Sequence, residues 1–219
     1  MRGGRRDVKA KRSADLFPLF LKLEGRRVLV VGAGKIAEGK IAGLLGSGAR
    51  IRVVAPEATP RVRQWARAGK VSWEARRFRA GDLTGAFLVV AATSSAAHEK
   101  IFREARRRGV LCNVVDDPPH CDFYYPSVVR RGALQIAIST SGESPALAQR
   151  LRKELEKKFG REYEAWIRKL GEERKKLMSA VISPERRRKL LHQLASESGL
   201  EEFLHPGGSG RRARARKSR

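Results

Sequence analysis

Residues 28–37 read VLVVGAGKIA: four apolar residues, then Gly-x-Gly-x-x-Ala, then the start of a helical pattern. An apolar run that ends in glycines and passes directly into a helix is a strand–turn–helix unit. Gly32 permits the tight turn, Gly34 lets the backbone approach a bound pyrophosphate, and Ala37 is the small residue that packs helix against strand. Around Lys35, Ile36 and Ala37 the helix N-terminus would offer unpaired N–H groups to phosphate. A tight turn without ligand would use the same glycines. The strand-to-helix context favours a dinucleotide.

The rhythm continues outward from this unit. Lys35–Leu45 has helical apolar spacing, and Ile51–Val54 is a second β-branched run. Pro60–Ala68 reads as a helix, Val71–Ala75 as a third strand and Phe87–Ala92 as a fourth. Ala96–Arg107 is a further helix and Val110–Val115 a fifth strand. Strands apolar throughout, with helices between them, belong to a parallel sheet covered on both faces. A Rossmann-like, doubly wound α/β domain is expected over residues 15–116.

The second strand ends Val53-Val54-Ala55-Pro56-Glu57. An acidic residue is expected there to hold the ribose hydroxyls. Glu57 stands a little late, so the adenosine ribose would rest on Pro56 and Glu57. No arginine occupies Ala55 to receive a 2′-phosphate, although Arg50 and Arg52 are near in sequence. NAD is favoured over NADP. The fourth strand ends in small residues, leaving room for the nicotinamide half, with Thr93 either a hydrogen-bond donor to it or simply a polar strand terminus.

After Asp116 the pattern changes. Phe123–Val129 and Leu134–Thr140 read as two strands joined by Arg130-Arg131-Gly132, within a small α+β region over 117–150. Ser144-Pro145 suits a helix start, with Ser as cap and Pro in the first turn. The helical pattern runs to about Phe203, with breaks near Gly160 and at Ser183-Pro184, giving a helical part over 151–205. Residues 1–14 and 206–219 are basic and poor in apolar side chains, and are expected to be disordered.

Lys and Arg number 48 against 23 Asp and Glu. Removing residues 1–12 and 210–219 leaves 36 basic against 22 acidic, so the body itself is basic. Such a field attracts polyanions, whether nucleic acid or an acidic small molecule. No apolar run approaches the ~20 residues of a membrane span. The N-terminus lacks the apolar core of a secretory signal. Two cysteines make no disulfide framework, and a cytoplasmic protein is expected. Cys112, His120, Cys121 and Asp122 fit no zinc spacing, and no structural metal is expected.

Four segments in order resemble one family: FPLFLKLEGRRVLVVGAGKIAEGK (17–40), VVAPE (53–57), NVVDDPPHCDFYYPSVV (113–129) and ISTSGESPALAQRLRKELE (138–156). The chain resembles the precorrin-2 dehydrogenase and sirohydrochlorin ferrochelatase family, which includes the N-terminal half of bifunctional siroheme synthase. The resemblance implies NAD-dependent oxidation of precorrin-2 to sirohydrochlorin, with Fe2+ as a second substrate where chelation also occurs. It implies a homodimer, with the active site between the Rossmann domain and a small dimerisation region. The methyltransferase domain of the fused enzymes is not expected here.

Asp116 matches the aspartate to which the family assigns dehydrogenation and chelation. A carboxylate at the carboxyl edge of the sheet is suitably placed to accept a proton; the bland reading is a turn before Pro118-Pro119. Asp117 is expected to point elsewhere. His120 is expected to be an auxiliary proton acceptor near Asp116, and His98 reads as a surface or helix residue. Thr140 stands where the family often carries a serine linked to substrate binding. The loop containing Ser139, Thr140, Ser141, Gly142 and Ser144 would receive a substrate carboxylate at a helix N-terminus. Precorrin-2 carries eight carboxylates, so Arg130 and Arg131, with Arg150 and Arg152, are candidate contacts. A nucleic-acid-binding protein and an NAD-sensing regulator are the competing classes. No helix-turn-helix, zinc finger or RNA-binding aromatic pair supports the first, and the second has no need of Asp116.

Overall fold

The computed structural model describes residues 16–93 and 95–206. The expected disordered segments lie outside them, apart from Pro206. The chain divides into two compact units between Tyr125 and Pro126.

The first unit alternates strand and helix: β1 (Arg27–Val31), α1 (Lys35–Leu44), β2 (Arg50–Val54), α2 (Pro60–Arg67), β3 (Ser72–Glu74), β4 (Leu88–Ala91), α3 (His98–Arg107) and β5 (Leu111–Val114). The strands form one parallel sheet in the order β3-β2-β1-β4-β5. The Rossmann expectation holds, and the period of two along each strand explains the covering of both faces. Val28, Val30, Ile51, Val53, Leu88 and Val90 point to α1 and α2, where Ile41, Leu44, Val62 and Trp65 meet them. Leu29, Val31, Val54, Val89, Ala91 and Cys112 point the other way, onto Leu83 and onto Ile101 and Ala105 of α3. Each fully buried aliphatic side chain contributes about 1.5–3 kcal/mol, so one face cannot be left bare. Thr59 caps α2 by accepting from the Val62 amide at 3.3 Å, ahead of Pro60 in the first turn.

Beyond β5 the chain folds back on the sheet. The Asp122 amide donates to the Cys112 carbonyl at 2.7 Å, and Asn113 Nδ2 donates to the Phe123 carbonyl at 2.8 Å. Phe123 and Tyr125 then pack on the α1 side of the core. This is why the strand expected from Phe123 begins only at Ser127.

In the second unit β6 (Ser127–Arg131) and β7 (Leu134–Ile138) form an antiparallel hairpin whose last pair is Arg131 and Leu134. The turn is therefore Gly132-Ala133, with Gly132 at φ 57°, and Arg130 and Arg131 belong to the strand. Four helices follow: α4 (Pro145–Lys158), α5 (Glu162–Ser179), α6 (Pro184–Leu194) and α7 (Glu197–Leu204). Ser144 and Ser183 cap the helices expected from their Ser-Pro pairs. One further break went unread, where Ser196 caps α7 by accepting from the Gly199 amide at 3.2 Å. Among the described residues no helix is long and apolar enough to cross a membrane.

Candidate active site

The carboxyl ends of β1, β4 and β5 meet the start of α1. Gly32 has φ 104°, and a Cβ there would lie 2.1 Å from the Ala92 carbonyl oxygen. The strand ends are held this close by bonds from the Ala92 amide to Val31 (2.8 Å) and from the Gly32 amide to Val54 (2.9 Å). The fold itself requires glycine at 32. Gly34 is different: its φ of −75° suits any residue, and nothing lies within 4 Å of a Cβ there. The open space there leaves room for a ligand to lie on the backbone. No side chain among the described residues caps α1, and the first amide to bond back is that of Glu38, to Gly34 at 2.9 Å. The turn thus fits a dinucleotide pyrophosphate.

Pro56 and Glu57 are exposed just past β2. Their loop is tied to the glycine turn twice. The Thr59 amide donates to the Ala33 carbonyl at 3.0 Å, and the Thr59 hydroxyl to Glu38 at 2.7 Å. Glu38 is nearly buried, and the hydroxyl bond, against the opposing pull of burial, holds its carboxyl below the usual range. Arg50 and Arg52, near this loop in sequence, start β2 and so stand at the opposite edge of the sheet.

A cavity of about 360 Å³ opens beside the turn, lined by Ile36, Ala92, Thr93, His98, Val115, Asp116 and Asp117. Ile36 is an exposed apolar residue at its rim. Asp116 is exposed at φ 61°, a left-handed conformation that Asp tolerates better than most residues. Both aspartates line the cavity, which corrects the expectation that Asp117 turns away. Asp117 is moreover the better anchored of the two. His120 Nδ1 lies 2.9 Å from Asp117 Oδ2, and His98 Nδ1 lies 3.4 Å from the same oxygen. The His120 hydrogen bond, then His98, holds the Asp117 carboxyl below its usual range.

His120 was expected beside Asp116. Its bond goes to Asp117, and its ring stands edge-on to Phe102 with centroids 4.9 Å apart. His98 went unrecognised because a histidine opening a charged helix carries no local signal. It lines the cavity and its Nε2 donates to the Thr93 carbonyl at 2.9 Å. Lys40, also missed, leaves α1 on the side of Tyr125, with Nζ 4.2 Å from the ring centroid. Burial lowers its ammonium pKa, and the charge of Asp116 pulls it back up. Burial alone pushes the Tyr125 phenol up to about 12.

In the second unit the loop before α4 is folded on itself. The Thr140 hydroxyl accepts from the Ser144 amide at 3.1 Å, Ser139 from the Ser141 amide at 3.1 Å, and Ser144 from the Leu147 amide at 3.3 Å. Ser141 takes φ 52°, and Gly142 follows it at φ 88°. Arg130 is exposed, bonded to Gln135 at 3.2 Å. Arg131 has a structural task instead of the expected substrate contact. Its guanidinium donates to the carbonyls of Glu156 (2.9 Å), Phe159 (2.8 Å), Gly160 (3.2 Å) and Arg130 (2.8 Å). The end of α4 leaves carbonyls without helical partners, and Arg131 supplies the donors.

Residues 19–127 match an NAD(P)-binding family model and residues 131–158 the central region of sirohaem biosynthesis proteins. The solved structure of SirC, a precorrin-2 dehydrogenase, is 30% identical with a TM-score of 0.73, over 87% of this chain and 98% of that one. The chain belongs to the precorrin-2 dehydrogenase family of siroheme biosynthesis. As a member of that family it is also 46% identical over 143 residues to siroheme synthase 1 of Serratia proteamaculans, covering 65% of this chain. It is 37% identical over 180 residues to siroheme synthase of Photorhabdus laumondii, covering 82% of this chain. This chain spans 30% and 38% of those two relatives' lengths. The NAD(P)-binding match falls almost wholly on the chain's first unit, which carries the glycine turn, Glu57 and the Asp116–Asp117 cavity.

Proposed function

We propose that the chain is a precorrin-2 dehydrogenase, oxidising precorrin-2 to sirohydrochlorin with NAD. The observation that carries the proposal is the exposed Asp116 carboxylate on a cavity walled by Thr93 and the helix start beside the glycine turn. Bound NAD supplies a two-electron acceptor that takes one hydride. The chain's residues do the rest. Gly32, Gly34 and the first turn of α1, from Lys35 to Ala37, hold the pyrophosphate. Pro56 and Glu57 receive the adenosine ribose, where a free carboxylate suits 2′ and 3′ hydroxyls and repels a 2′-phosphate. Thr93 orients the nicotinamide half, its own carbonyl fixed by His98. Asp116 takes the proton that leaves the tetrapyrrole as the hydride departs, which balances the oxidation.

Arg130 and the Ser139–Ser144 loop at the head of α4 are the substrate contacts assigned to the second unit. The working form is a homodimer in the cytoplasm. Asp116 serves again as acceptor for one of the two pyrrole protons that leave when Fe2+ enters sirohydrochlorin, the other passing to solvent. Nucleic-acid binding and NAD sensing both leave the Asp116 cavity without a use.

The test is NADH formation on adding precorrin-2, repeated with Asp116→Asn, which keeps the left-handed backbone comfortable. Loss of a positioned base costs roughly 10²–10⁴-fold in kcat, with NAD affinity unchanged. Full activity in the variant refutes the role of Asp116. Iron insertion into purified sirohydrochlorin without NAD, no faster than the spontaneous rate, removes the chelatase step alone.

A further inference from the structure

A cavity of about 440 Å³ lies at the other end of the same sheet, where the strands begin. Its charged lining comes from Arg27, Arg50, Arg52 and Lys70, with Asp82 the acid among them. Asp82 and Arg52 are already satisfied. Arg52 donates to Glu74 at 2.5 Å and to Asp82 at 2.9 Å, and Arg76 closes the group with bonds to both acids. Among the described residues Arg27, Arg50 and Lys70 take part in no such ion pair.

Two features make this more than a charged surface. Arg27 and Arg50 are register partners on parallel β1 and β2, which sets two like charges side by side, a destabilising arrangement. Two residues further along β2, the same strand meets its arginine with two carboxylates, so the missing counter-charge is specific to this edge. The Arg27 guanidinium is also seated. It lies flat against Gly85, whose absent Cβ would stand 2.9 Å from the guanidinium carbon. Thr84, beside it on the cavity wall, accepts from Arg108 at 3.2 Å, an arginine already paired with Glu104, so among the described residues the free cations of the cavity are Arg27, Arg50 and Lys70.

We propose that this cavity is a second ligand site, for the phosphoryl group of a small phosphorylated molecule. Two guanidinium forks and an ammonium match the several acceptor oxygens of a phosphate. Ser72 adds a hydroxyl. A concave cavity favours a small molecule over the backbone of a duplex, which needs an extended track of cations. Five residues of β1 separate this edge from the glycine turn, about 17 Å of strand, so the site does not share phosphates with the dinucleotide.

The probe is pyrophosphate, titrated calorimetrically in chloride buffer into the full chain saturated with NAD, with thermal melts in parallel. Binding is expected, together with a raised Tm. Arg50→Gln and Arg27→Gln should each weaken it at least tenfold while leaving NAD affinity unchanged. Both variants relieve the like-charge pair, so their ligand-free Tm should equal or exceed that of the parent, which separates lost binding from lost folding. Absence of heat at millimolar pyrophosphate overturns the proposal, as does equal affinity in both variants. Tighter binding of duplex DNA than of pyrophosphate, lost with Arg50→Gln, assigns the edge to nucleic acid and overturns it too.

Discussion

Alanine at Gly32 and alanine at Gly34 should fail in opposite ways. At Gly32 the new Cβ meets the Ala92 oxygen at 2.1 Å and its carbon at 2.7 Å. Ordinary contact begins near 3.5 Å, so the ends of β1 and β4 must part by more than an ångström. Overpacking of that kind costs about 1–3 kcal/mol, and an L side chain at positive φ adds about 1–2 kcal/mol. A total near 3 kcal/mol lowers Tm by roughly 6–12 °C in a chain of this size. At Gly34 there is neither clash nor strain, and the stiffer unfolded chain adds about 0.4–1 kcal/mol of stability. Its cost falls on the ligand: losing one charge-assisted bond to the pyrophosphate, about 1.5–3 kcal/mol, weakens NAD about 10–100-fold. Melts without NAD, then calorimetric titration with it, read the two effects separately. A Tm loss in Gly34→Ala equal to that of Gly32→Ala, or parent-like NAD affinity in Gly34→Ala, refutes the reasoning.

Asp82→Asn removes a carboxylate that is almost fully buried beneath Arg52 and Arg76. Burial pushes its pKa up, but the bond from Arg76 and the other partners prevail and hold it low. Its stabilisation is therefore present above the ordinary carboxylate range and lost as pH falls through the depressed folded value. The variant should melt earlier at neutral pH, by about 3 kcal/mol, and the gap from the parent should close in strong acid. Arg131→Ala should lower Tm by uncapping α4, whereas Arg130→Ala leaves Tm within a degree or so, about the scatter of surface changes. Thiol labelling at pH 8 should spare Cys112 in the native chain, since burial lifts its pKa to about 12, and reach it in denaturant. Ready labelling of native Cys112 would mean that β5 opens.

How far the site could be read in advance depended on where its information lies. The glycine turn was legible because strand, turn and helix are contiguous, and each has its own period. Asp116 was legible through a segment-level resemblance and its place after a strand. The pairing of Asp117 with His98 and His120 was not. His98 reaches it from α3, across 19 residues of chain, and nothing local distinguishes that histidine from one in solvent. The same holds for Arg131, read as a substrate contact from its charge, yet spent on carbonyls 25 to 29 residues away.

From the order of apolar runs alone came the parallel sheet, the cofactor edge and the helix starts at Ser-Pro, because all of these follow from backbone preference and burial over a few neighbouring residues. Tertiary structure alone decided which aspartate is held and which is free, which arginine is consumed, and that β1 and β2 line up two uncompensated cations. Hydrogen bonds and charge pairs act over a few ångströms, and only folding decides which distant residues come that close.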